Sequence, residues 1–199
     1  MFMRIDKRFI RLNPYSRCGT RIQVKGIIVH YTGVPYQTAI QCRNYFDSLA
    51  DLKNNYASTQ FIVDGQNIIQ TMEENEKAFG VTTPLNYNET PYPKPVEEVF
   101  GRAVNNGAIH IEMCCKDKDG KIEEDTLNTT ALLVANLLNK YNLSQKTVFT
   151  HNECTGKLCP KYFVENKKAY QEFKNAVRRY LRGCLKDIVT GKQIGRAHV

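Results

Sequence analysis

The chain has 199 residues, of which 42% are apolar, and a formal net charge of +8. That length predicts a single domain, and the apolar content excludes wholesale disorder. The basic excess permits anionic partners, from nucleic acid to acidic glycans, but selects none of them.

Residues 25–32 (KGIIVHYT) form a short apolar run bounded by Gly26 and Gly33 and predict a buried β-strand. Ala39, Cys42, Phe46 and Leu49 then recur at helical spacing. Residues 60–64 and 67–72 read as two short strands around Gly65-Gln66, a hairpin signature. Residues 82–107 carry Pro84, Pro91, Pro93 and Pro95 with Tyr87 and Tyr92 among them. They show no period and predict a long surface loop of the kind that often bears function. Residues 108–114 (AIHIEMC) predict a further strand, with Ile109, Ile111 and Met113 alternating against Ala108, His110 and Glu112. After a turn at Asp119-Gly120, a helix is expected over 125–141, capped by Asp125, with Leu127, Ala131, Val134, Ala135 and Leu138 inward. A short strand over 146–151 and an amphipathic helix presenting Tyr170, Phe173, Val177 and Leu181 follow. Strands alternating with helices predict an α/β fold, a single central mixed β-sheet flanked by helices. The domain is expected over 1–183. Residues 184–199 show no period, and their ending IGRAHV matches a translated sequencing adapter. They are expected to be an unstructured tail left by truncation, in which His198 has no role.

The N-terminal residues 1–16 lack the apolar segment of a secretory signal, and no apolar run reaches membrane-spanning length. Seven cysteines without regular spacing make a poor disulfide framework and fit synthesis in a reducing compartment. No basic-aromatic motif supports nucleic-acid binding.

Chemistry concentrates in residues 151–160 (HNECTGKLCP), which set His151 and Cys159 eight positions apart on a loop rich in turn residues. Such a loop can fold back so that both face one metal ion. Zinc accepts imidazole nitrogen and thiolate, and catalytic sites commonly use three protein ligands plus water. His30, near the end of the first core strand, is the candidate third ligand. Read without context, such a histidine is more often a core residue held by backbone, and such a cysteine a small buried apolar group. His110 reads as structural or surface-lying rather than as a ligand.

VHYT at residues 29–32, IEMC at 111–114 and HNECTGKLCP at 151–160 together resemble the type 2 N-acetylmuramoyl-L-alanine amidases, which include phage endolysins and peptidoglycan recognition proteins. The resemblance covers roughly residues 26–181. It implies the peptidoglycan recognition protein-like fold, a Zn2+ cofactor on His30, His151 and Cys159, and Glu112 and Lys157 as catalytic residues. It further implies hydrolysis of the amide between N-acetylmuramic acid and L-alanine in bacterial peptidoglycan. One departure is Ser58-Thr59-Gln60-Phe61, where many members carry histidine, often after tyrosine, so the proton work falls to Glu112. With no export signal, the expectation is an endolysin made in the host cytoplasm and released to the wall. It is expected to be monomeric, with no membrane or nucleic-acid partner. Tyr87 and Tyr92 are candidate sugar-stacking surfaces. The alternative is a non-catalytic peptidoglycan-binding domain of the same fold.

Overall fold

Near-continuous apolar runs need cover on both faces when a strand lies inside a sheet. In the computed structural model, which describes residues 4–82 and 91–189, this requirement organises six strands. They are β1 (Ile5–Lys7), β2 (Gly26–Tyr31), β3 (Phe61–Asp64), β4 (Asn67–Gln70), β5 (Ala108–Met113) and β6 (Val148–Thr150), in the order β1-β4-β3-β5-β2-β6. Only the β3–β4 hairpin is antiparallel; the other pairings are parallel. The sheet is therefore mixed, as the alternation of elements implied. β2 and β5 pair with Gly26 opposite Ala108 and His30 opposite Glu112.

One face of the sheet presents Ile27, Val29, Phe61, Val63, Ile109, Ile111 and Met113 to the long helices α3 (Glu124–Lys140) and α6 (Lys167–Val189). Leu133, Val134, Leu137 and Leu138 of α3 and Phe173 and Val177 of α6 complete that core. The other face is covered in two patches. Helix α1 (Ala39–Leu52) sets Ala39, Cys42, Phe46 and Leu49 over Ile62 and Ile69. Helix α2 (Lys94–Phe100) sets Val96 and Phe100 over Ile28 and Phe149. By the two-residue period, this second face also receives His30, His110 and Glu112. Two five-residue helices, α4 (His151–Thr155) and α5 (Lys161–Glu165), complete the order.

Several boundaries differ from the sequence expectation; the strand expected over 146–151 is confined to Val148–Thr150, and the segment read as a loop from His151 opens as the helix α4. The supposed loop over 82–107 contains α2 and a 3-10 turn over Val104–Asn106. Proline is tolerated in a first helical turn, so Pro95 is accommodated there rather than preventing the helix. The last helix runs to Val189, six residues beyond the expected end of the domain at Gly183. The helix continues through that glycine; residues 190–199 lie outside the described residues. Helix α3 begins after Glu123, not at Asp125, and its start has no side-chain cap.

Candidate metal centre and groove

Thr150 ends β6 and caps α4. Its Oγ1 accepts the Glu153 backbone N–H at 3.1 Å, while Glu153 Oε2 accepts the Thr150 N–H at 2.7 Å. This reciprocal capping box fixes His151 at the first helical position. Gly156, in the left-handed region at φ 77°, stops the helix and turns the chain back. The Asn152 N–H donates to the Cys159 carbonyl at 2.8 Å, and Asn152 Nδ2 donates to the carbonyls of Gly156 and Lys157 at 3.1 and 2.8 Å. Asn152 thereby closes the loop and returns Cys159 to the side of His151.

His30 meets them from β2. Its Nδ1 lies 3.2 Å from His151 Nδ1 and 3.8 Å from Cys159 Sγ, and the three donor atoms all fall within 4.8 Å of one another. All three residues are buried. Burial lowers His30 well below the ordinary histidine value, helped by His110 and His151. Burial brings His151 down to about 4, with the Lys157 charge acting in the same direction. Burial also pushes the Cys159 thiol up to about 12, reinforced by Glu112. The cluster is thus a set of uncharged imidazole and thiol groups, the side-chain types that zinc takes as ligands. Tetrahedral zinc with Zn–N bonds of about 2.0–2.1 Å separates two nitrogens by about 3.3 Å. The observed separations and the imidazole-imidazole-thiol chemistry fit zinc.

Glu112 faces the same groove, partly buried, and its Oε2 is shielded without a hydrogen-bond partner. Burial raises its carboxyl from 4.5 to about 7, against the opposing pull of Lys157. Lys157 is exposed at the groove edge, on the loop between the two later donors. The groove has a volume of about 800 Å³, and His30, His151 and Cys159 are among the residues that line it.

His110 is fully buried outside the donor trio, with its Nδ1 3.0 Å from His30 Nε2. Thr59 and Gln60, where the family pattern has its tyrosine and histidine, are also buried and serve the backbone. Thr59 Oγ1 donates to the His110 carbonyl, and Gln60 Oε1 accepts the His110 N–H at 2.7 Å. Tyr92 is not a stacking surface: at 3% exposure it packs in the patch under α2, because it leads into a helix rather than a loop. Tyr87 lies outside the described residues. The aromatic wall is instead Tyr45, Tyr56 and Phe79, with Tyr56 and Phe79 edge to face at 5.6 Å. Tyr45 was detectable as a large apolar ring off the inward period of α1; Tyr56 carried no periodic signal.

A family model described as N-acetylmuramoyl-L-alanine amidase matches residues 20–162. The N-acetylmuramoyl-L-alanine amidase CwlL of Bacillus licheniformis is 31% identical over 177 residues, covering 88% of this chain and 47% of that protein. The N-acetylmuramoyl-L-alanine amidase BlyA of Bacillus subtilis is 30% identical over 177 residues, with the same coverage of 88% and 47%. This chain therefore spans about half the length of the curated relatives it matches. The solved structure of PlyL is similar with a TM-score of 0.69 at 23% identity, over 88% of this chain and 97% of that one. The Staphylococcus aureus hydrolase AmiA, solved with its ligand, gives 0.64 at 18% identity over 96% and 87%. These two likenesses establish the fold. With most of its length matched by the family model, this chain belongs to the N-acetylmuramoyl-L-alanine amidase family.

Proposed function

We propose that the domain is a zinc amidase that hydrolyses the bond between N-acetylmuramic acid and L-alanine in bacterial peptidoglycan, as a phage or prophage endolysin would. The convergence of His30, His151 and Cys159 in the lining of the groove that Glu112 also lines supports this reading most strongly. His30, His151 and Cys159 would hold the ion. Bound zinc supplies an acidified water and polarises the scissile carbonyl. Glu112, with a carboxyl near 7, takes a proton from the attacking water and delivers it to the departing alanine nitrogen. The Lys157 charge stabilises negative charge building on the carbonyl oxygen. Tyr45, Tyr56 and Phe79 offer ring faces to the sugar, and the open groove suits a glycan strand with its peptide attached.

The test is incubation of the zinc-loaded domain with purified muropeptides, followed by mass spectrometry. The expected products are an intact glycan and a stem peptide with a free L-alanine amino terminus. Retention of muropeptide without any cleavage would establish the non-catalytic binding domain instead.

A further inference from the structure

His110 is the buried histidine that the proposed reaction leaves unused. It sits on β5 two residues before Glu112, opposite Ile28, which places it diagonally beside His30 on the neighbouring strand. The two nitrogens of the His30 ring face different partners. Nδ1 faces His151 and Cys159; Nε2 faces His110 Nδ1 at 3.0 Å. A proton must lie between Nε2 and Nδ1 for that contact to hold, since two bare lone pairs would repel. Metal binding at His30 Nδ1 requires that nitrogen to be unprotonated, so the proton of neutral His30 sits on Nε2 and His110 Nδ1 accepts it. His110 then carries its own proton on Nε2, the buried atom without a hydrogen-bond partner.

We propose that His110 is a positioning residue for the metal centre: it accepts the His30 Nε2–H, selecting the tautomer and ring orientation in which His30 Nδ1 faces the ion. This inference rests on the zinc-centre reading above. The surrounding structure is built to keep His110 in place. Gln60 Oε1 accepts its backbone N–H, Thr59 Oγ1 donates to its carbonyl, and Gln60 Nε2 is anchored on the Glu76 carbonyl at 2.7 Å. Gly80 leaves room for the ring, because a Cβ there would come within 2.3 Å of His110 Nδ1. A neutral acceptor orients a metal-binding histidine without adding negative charge to the centre, unlike the carboxylates that often fill this role.

The experiment measures the zinc dissociation constant by chelator competition, and the melting temperature of the metal-free protein, for wild type, His110→Leu and His110→Asn. Leucine fills the space without an acceptor, whereas the asparagine Oδ1 falls near the histidine Nδ1 position. Expected is a zinc affinity about 10- to 100-fold weaker for His110→Leu, largely restored in His110→Asn whatever the two melting temperatures. Affinities for both variants within threefold of wild type, or equal losses in both, would overturn the proposal. Long-range proton–nitrogen NMR on the zinc-loaded wild type decides the matter if a variant fails to fold. His30 protonated at Nε2 and His110 at its own Nε2 supports the proposal, and a proton on His110 Nδ1 overturns it. Failure of wild type to bind one zinc ion would instead overturn the zinc-centre reading, and this inference with it.

Discussion

Glu112 is a carboxyl whose protonated and ionised forms are both accessible near neutral pH, a consequence of burial only partly offset by Lys157. Glu112→Gln should retain zinc and lose turnover by about 10²–10⁴-fold, the usual range for a removed proton-transfer group; muropeptide turnover alongside metal analysis checks this. The same shift sets a pH effect on the metal-free protein. Between pH 4.5 and about 7 the folded state holds a proton that the unfolded state has released. Wild-type stability, relative to Glu112→Gln, is therefore greatest below 4.5, declines as pH rises through this window and is level above it. Urea unfolding of both proteins at several pH values reads the difference, in which the contributions of the buried histidines cancel. At this scale the convergence of His30, His151 and Cys159 was legible. A strand-end histidine and a His-x7-Cys loop mark themselves by residue type and by the turn residues between them. The contact between His30 and His110 was not legible, because it depends on the register of two strands 80 positions apart in sequence.

Elements place those residues through a few local devices. The Thr150–Glu153 capping box sets His151 at the start of α4. Thr150→Ala should cost about 1 kcal/mol of stability and weaken zinc binding, as chemical denaturation and chelator competition would show. Further back, Arg17 grips the buried Glu76 with two hydrogen bonds of 2.7 and 3.0 Å, and the Glu76 backbone anchors Gln60 beneath His110. The Arg17 guanidinium holds the Glu76 carboxyl below its ordinary 4.5. The stabilisation is thus fully present above that value and is lost as pH falls through the depressed one. Glu76→Gln should cost about 3 kcal/mol at neutral pH, because Arg17 is left without its charge partner; the loss should shrink in acid, where both proteins lack the charge. The β2 and β5 strands, α1 and the hairpin were readable because their periods are unbroken. Helix α2 was hidden by the prolines around Tyr92, although Val96 and Phe100 stand four apart with proline only in the first turn. Strand β1 has three residues, too few to show any alternation.

Across the whole molecule, the sheet commits one face to α3 and α6 and leaves the other divided between α1 and α2, and that divided face carries the groove and its polar residues. The aromatic wall follows from the same division, since Tyr45 lies on the outer side of α1 and Tyr56 just beyond its end. Tyr56→Ala should raise KM for glycan-bearing muropeptides about fivefold, the loss expected for one aromatic contact, with kcat nearly unchanged; steady-state kinetics separates the two. The central claim is that one metal ion on His30, His151 and Cys159 makes this face an amidase centre. The most direct test titrates chelator-stripped protein with zinc while new L-alanine amino termini are counted on purified muropeptide. Expected are no cleavage at zero metal, a linear rise to one equivalent and a plateau beyond it, and no cleavage at any equivalent for Cys159→Ala below its weakened affinity. Full cleavage by stripped wild-type protein, or undiminished one-equivalent activation of Cys159→Ala, would contradict it.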